Sequence, residues 1–227
     1  MQKDLIIISL GGSLIAPDEI DVDFLKKFRE LILKHVEQGK KFILITGGGK
    51  VCRKYQKAAA EVRHLEEEDL DWLGIHSTRL NAHLIRTIFR DVACPKVVKN
   101  PTIKEDFKEQ VLVAAGWKPG CSTDYDSVLL AKTYNAKKLV NLTNIECVYD
   151  KDPRKFKDAK PIEKISWKDF RKIVGDEWDP GLNMPFDPIA SKEAEKLGLE
   201  VAIMKGSNLE NFEYYIDGKD FKGTIIS

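Results

Sequence analysis

Glycine-rich turns set directly after apolar runs are the first features of this 227-residue sequence that could do chemistry. Ser9-Leu10-Gly11-Gly12-Ser13 closes one run, and Thr46-Gly47-Gly48-Gly49-Lys50 closes another, with Arg53 following. Residues without a Cβ let backbone N–H groups converge on an anion, and a helix starting at the turn adds partial positive charge. Neither turn has the spacing G-x-x-x-x-G-K-[ST] or G-x-G-x-x-G, which excludes a P-loop and a dinucleotide turn. One glycine pair after a strand is ordinarily just a tight turn. Two after consecutive strands, one with Lys50 and Arg53 beside it, point to phosphate. Two more polar clusters follow later apolar runs: Gly116-Trp117-Lys118-Pro119-Gly120-Cys121-Ser122-Thr123-Asp124, and Thr143-Asn144 through Asp152-Pro153. Their plain readings are a helix N-cap at Ser122-Thr123-Asp124 and a turn at Asp152-Pro153.

Four clusters serve one ligand set only if the chain brings them to a common edge. Leu5–Leu10, Phe42–Ile45, Val97–Val98, Val111–Ala114, Leu139–Leu142 and Val201–Met204 read as buried strands, apolar without alternation. Asp21–Gln38 places Phe24, Leu25, Phe28, Leu31, Ile32 and Val36 on one helical face, with Gly39 as a left-handed stop. Val51–Val62, Leu70–Phe89, Thr123–Tyr134, Trp167–Val174 and Pro188–Leu197 are the other helix candidates. This alternation predicts an α/β fold with a mostly parallel sheet, whose ligands collect beyond the carboxyl ends of the strands. Asn100–Gln110 reads as a surface connection and Gly175–Pro188 as a mobile loop.

Composition narrows the partners. Lysine plus arginine is 37 against 36 aspartate plus glutamate, a net charge of +1 that gives no whole-chain attraction to nucleic acid or anionic lipid. A hydrophobic fraction of 43% supports a buried core. No apolar stretch has the length of a membrane span or signal core, so a cytoplasmic protein is expected. Cys52, Cys94, Cys121 and Cys147 make no C-x-x-C pair and read as reduced thiols; His76 and His83, two helical turns apart, cannot easily share a metal.

The four clusters, in this order, resemble the amino acid kinase family, and within it the archaeal-type UMP kinases. Leu10-Gly11-Gly12-Ser13 resembles the first nucleotide turn and Thr46-Gly47-Gly48-Gly49-Lys50-x-x-Arg53 the second. Asp71-Trp72-Leu73-Gly74-Ile75-x-x-Thr78-Arg79-Leu80-Asn81-Ala82 is similar to the helix D-x-x-G-I-x-x-[ST]-R-x-N-A, the most diagnostic piece. Pro119–Asp124 resembles P-G-x-[ST]-T-D, Asp187-Pro188-Ile189-Ala190-x-Lys192 resembles D-P-L-A-x-K, and Gly223-Thr224-Ile225-Ile226 the G-T-x-I close.

The resemblance implies a single domain over residues 1–227, a three-layer α/β/α sandwich of the carbamate kinase-like type. Its approximate lobes would be an acceptor side over 1–115 and an ATP side over 116–227. The implied reaction is ATP + UMP giving ADP + UDP, in a homohexamer that binds neither nucleic acid nor membrane. Carried over by position, Gly48, Asp71 and the loop Trp117, Lys118, Pro119, Gly120, Cys121, Ser122 and Thr123 would hold UMP. Gly11, Gly12, Ser13, Gly49, Arg53, Thr143, Asn144, Tyr149 and Asp152 would hold ATP. Asp124, Asp187 and Lys192 would act at the transferring phosphoryl, with Mg²⁺ arriving on ATP and no separate metal-ligand set. Three positions depart from the family pattern: Ser9 where many members have lysine, and Glu146 and Cys147 where T-N-V-D-G-V-Y has Asp and Gly. Without that lysine, the cation at the phosphoryl group falls to Lys50, Arg53, Lys192 or Mg²⁺. The alternatives are a non-catalytic nucleotide-binding or molybdenum-storage relative and another small-molecule kinase such as an isopentenyl phosphate kinase. The latter carries a histidine after the second glycine run, where this chain has none.

Overall fold

The computed structural model describes residues 5–177 and 184–227. In chain order the elements are β1 (Leu5–Leu10), α1 (Gly12–Ile15), α2 (Val22–Glu37), β2 (Lys41–Thr46), α3 (Gly49–Val62), α4 (Glu67–Ile88), β3 (Ala93–Val98), β4 (Val111–Ala114), α5 (Thr123–Tyr134), β5 (Lys138–Thr143), β6 (Val148–Tyr149), β7 (Pro161–Ile162), β8 (Lys164–Ile165), α6 (Trp167–Val174), α7 (Pro188–Leu197), β9 (Glu200–Lys205), α8 (Leu209–Ile216) and β10 (Thr224–Ile226). The main sheet has the order β3-β4-β2-β1-β5-β9-β10-β8, and β6 pairs with β7 separately. From β3 to β9 all neighbours are parallel; β10 runs antiparallel to β9.

Strand pleating divides the core into two layers. Ile6, Ile8 and Leu10 face Phe24, Phe28 and Ile32 of α2, with Ile85 of α4 and Phe212 of α8 in the same cluster. Leu5 and Ile7 face Val128 and Leu130 of α5, Phe170 of α6 and Ala190 of α7. Both faces are covered, which is why these strands carry no polar alternation. The sandwich expected from the sequence is therefore present, with the sheet continuous across both halves of the chain.

The predicted elements lie where expected: Leu5–Leu10, Val111–Ala114, Thr123–Tyr134, Trp167–Val174 and Pro188–Leu197 have the predicted bounds, and the ends of the others move by no more than four residues. Asp21 begins α2 by accepting the Phe24 N–H (2.9 Å), and Gly39 beyond its end has a φ of 87°. Helix α4 starts earlier than predicted because Glu66 and Asp69 form a reciprocal capping box. β3 starts at Ala93, ahead of the predicted Val97, with a register shift against β4 between Ala93 and Val97. Helices α1 and α8, strand β10 and the short strands β6–β8 have no counterpart among the predicted elements. The loop expected over Gly175–Pro188 includes residues 178–183, which lie outside the described residues. Among those described, no helix is long and apolar enough to cross a membrane.

One titratable group is held inside the helical layer away from the strand ends. His35 of α2 is fully buried, with Nδ1 3.1 Å from Gln38 Oε1 and Nε2 without a hydrogen-bond partner among the described residues. Burial, reinforced by the Lys40 ammonium, lowers its pKa against the opposing pull of Asp217 and Glu213. A lowered folded-state value means that stability is full above the unfolded pKa of about 6.5 and is lost as the pH falls below it. Urea unfolding should therefore show a lower midpoint at pH 5.5 than at pH 7.5, and His35→Leu should shrink that difference. An equal drop in the variant would remove His35 as its source.

Candidate functional site

The carboxyl ends of β1, β2, β4, β5 and β9 lie along one edge, and the turns beyond them are tied together. The Gly11 N–H donates to Leu142 O (3.0 Å), the Gly47 N–H to Leu10 O (2.9 Å) and the Gly206 N–H to Thr143 O (2.8 Å). The two glycine turns lie back to back. A Cβ on Gly12 would fall 2.3 Å from Gly49 N and 2.5 Å from Gly47 O, and Gly49 has a φ of 65°. Only glycine fits both demands. Gly48 caps α3 without a side-chain bond, so the first N–H groups of that helix are not covered by a capping side chain.

Helix α4 holds both the second glycine turn and the loop after β4. Asn81 Nδ2 donates to Gly47 O (2.8 Å) and Thr46 Oγ1 to Thr78 O (2.9 Å). Four side chains then fix the loop. Thr78 Oγ1 accepts from the Gly116 N–H (2.8 Å), Asp126 Oδ2 from the Trp117 N–H (3.0 Å) and Asp71 Oδ2 from the Gly120 N–H (2.7 Å). Arg79 donates to Trp117 O (3.0 Å). Between α3, α4 and this loop lies a cleft of about 290 Å³. Gly48, Gly49, Arg53, Asp71, Cys121 and Thr123 all line it, so residues from three separate clusters meet there. Lys118 Nζ lies 4.2 Å from the Trp117 ring centre. Burial pushes both cleft thiols, Cys52 and Cys121, above their ordinary pKa, so they are protonated at neutral pH.

Asp124 and Asp187 meet across the sheet ends. Asp124 Oδ2 accepts from the Asp187 N–H (3.1 Å) and Oδ1 from Asn141 Nδ2 (3.4 Å). Burial and the nearby charge of Asp187 push Asp124 up to about 7. The Asp187 carboxylate caps α7 by accepting from the Ala190 N–H (2.7 Å). Ser9 is buried in register with Asn141, on the sheet face toward α5. Among the predicted cations, Lys50 is bonded to Asp18 (3.1 Å). Arg53 and Lys192 are exposed and make no ion pair among the described residues.

The remaining predicted positions are more dispersed. Ser13 is half-buried in α1, Thr143 ends β5 beside Gly11, and Asn144 is exposed. Tyr149 lies in β6, while Asp152 is occupied by three bonds from Arg154. Ser122 caps α5 through the Tyr125 N–H (3.1 Å), the plain reading of that residue. Glu146 pairs with Lys222 at 2.7 Å, and Cys147 is buried with no positive φ, so the backbone at 147 does not require a glycine.

The model of the amino acid kinase family matches residues 4–205. The chain belongs to the amino acid kinase family. Its relatives include uridylate kinases of Sulfurisphaera tokodaii, 33% identical over 97% of this chain and 98% of that protein, and of Pyrococcus abyssi, 34% identical over 97% and 98%. The crystal structure of uridylate kinase from Archaeoglobus fulgidus superposes with a TM-score of 0.84 at 30% identity, covering 98% of this chain and 99% of that one. The UMP kinase of Bacillus anthracis, at 18% identity, shares the fold with a TM-score of 0.80 over 99% and 96% of the two chains.

Several residues that build this cleft and its loop have no role assigned from the sequence: Thr46, Thr78, Arg79, Asn81 and Asp126. A signal existed for some. Thr78 and Asn81 are polar residues on the buried stripe of α4 beside Ile75, Ala82 and Ile85, where an apolar side chain would be the default. The glycine packing gives a test with two signs. Gly12→Ala must push one turn off the other and should lower the urea-unfolding free energy by about 1–3 kcal/mol. Gly74→Ala, whose Cβ would meet only Cys52 Sγ at 3.7 Å within α4, should raise it by about 0.5–1 kcal/mol.

Proposed function

We propose that this chain is a UMP kinase that moves the γ-phosphoryl group of ATP to UMP, acting in the cytoplasm in pyrimidine nucleotide biosynthesis. The observation that carries the reading is the cleft where Asp71, the 116–122 loop and the uncapped start of α3 face one space. A carboxylate there accepts from ribose hydroxyls and selects against ligands lacking them, while backbone N–H groups receive the phosphate. The near full-length likeness to uridylate kinases supports the same acceptor. Gly48, Asp71 and Trp117–Thr123 form the proposed acceptor side. Gly11, Gly12, Ser13, Gly49, Arg53, Thr143, Asn144, Tyr149 and Asp152 form the proposed ATP side. The lobes divide near residue 115, with the 116–122 loop reaching across to the acceptor.

The chemistry asks for positioning and positive charge rather than a strong base, because the UMP phosphate is already ionised. The glycine turns orient two polyanions in line. Asp124 and Asp187 are organisers: each already accepts a backbone N–H, which fixes its direction. Two adjacent carboxylates fit a magnesium ion carried on phosphate, which needs only one or two protein oxygens. Asp124 and Asp187 would hold such an ion, which when bound would supply positive charge against the phosphate groups. With Lys50 engaged by Asp18, Arg53 and Lys192 are the proposed cations for the transferring group. Assembly into a hexamer is supported by α3, an amphipathic helix with no buried residue, and by exposed Tyr55, Val62, Trp72 and Leu80 on the α3–α4 face.

ADP release measured with UMP, CMP, AMP, GMP and isopentenyl phosphate tests the function. UMP should give the highest kcat/KM, and release indifferent to all five acceptors would overturn the reading. Asp71→Asn should raise the KM for UMP roughly 10- to 100-fold, the effect of losing bonds to a charged acceptor. Arg53→Ala and Lys192→Ala should each lower kcat, one of them by roughly 100-fold. Unchanged kcat in both would move the neutralising charge elsewhere.

A further inference from the structure

We infer that Asp126 is a positioning residue for the acceptor nucleotide: with Arg79 it locks the two peptide planes flanking Trp117, and thereby aims the free N–H of Lys118. This deepens the proposed acceptor site and rests on that reading.

Asp126 lies in the first turn of α5, fully buried. Its Oδ2 accepts from the Trp117 N–H, which fixes the peptide between Gly116 and Trp117. Arg79 of α4 donates to Trp117 O, which fixes the peptide between Trp117 and Lys118. A carboxylate and a guanidinium from different helices therefore hold consecutive peptide planes. The N–H of Lys118 belongs to the second plane and points opposite to the carbonyl that Arg79 holds. Along the loop Pro119 has no N–H, that of Gly120 is bonded to Asp71, and that of Cys121 to Lys118 O (3.3 Å). Among the described residues the Lys118 N–H has no partner, leaving it as the donor that Trp117–Cys121 can offer an oxygen of the bound monophosphate.

The helix itself has no need of Asp126. Ser122 supplies the cap, and the buried run Val128–Ala131 supplies the packing. Asp126 Oδ1 is buried with no hydrogen-bond partner among the described residues, a cost that an apolar side chain would avoid. The carboxylate is an expensive choice for the fold and a useful one for the loop.

Steady-state kinetics and amide hydrogen exchange on Asp126→Val and Asp126→Asn test this. Asp126→Val removes the acceptor and leaves an apolar side chain in the same buried place. The KM for UMP should rise on the order of 10- to 100-fold while the KM for ATP stays within about twofold. Exchange should quicken over residues 116–121 and not along α5. Asp126→Asn, which keeps an acceptor oxygen, should recover most of the lost affinity for UMP. An unchanged KM for UMP with unchanged loop exchange would overturn the proposal, as would faster exchange throughout α5 with both KM values raised. If Asp126→Val does not fold, Arg79→Met acts on the neighbouring peptide and must give the same split between UMP and ATP; an even effect on both overturns it. Should the wild-type protein use no nucleoside monophosphate, the functional reading fails, and the exchange measurement alone then decides whether Asp126 holds the loop.

Discussion

Backbone against backbone at Gly12, Gly47 and Gly49 is the contact on which the rest of the site depends. Two turns at the ends of neighbouring strands come so close that a single added carbon on Gly12 would overlap peptide atoms of the other. The parallel register of β1 and β2, with Leu10 opposite Thr46, delivers the turns to the same height. Both turns are thereby held together beyond the strand ends with little further specification.

Helix α4 turns that contact into a pocket. Its residues reach in two directions: Asn81 to the glycine turn, and Asp71, Thr78 and Arg79 to the loop beyond β4. Every one of these bonds joins a side chain to a backbone group distant in sequence. The loop after β4 is consequently positioned by side chains of α4 and α5. Asp124 and Asp187 extend the same logic on the other side of the sheet, where one carboxylate receives the N–H of the residue bearing the other.

The order of strands and helices was legible because nearly every β-α unit repeats a run buried on both faces followed by an amphipathic stripe. The glycine turns were legible because residues without side chains after a strand have few structural uses. What escaped has physical reasons. Strands β6, β7, β8 and β10 are two or three residues long, and pairing across the sheet rather than local preference decides them. Thr46 and Asp126 look like ordinary polar residues until their distant backbone partners are in place. Lys50 read as a candidate for phosphate, yet Asp18, 32 residues earlier, takes its ammonium.

The two edges of the sheet govern how copies of the chain can meet. At one edge β3 carries Pro95, which offers no N–H, a lysine at position 96, and a break in register against β4. At the other, β8 is only two residues long. Both ends of the sheet are thus blunted against strand-to-strand growth, the route by which parallel sheets turn into fibres. The helical surfaces that cover both faces of the sheet offer a second copy no row of unpaired backbone groups to extend.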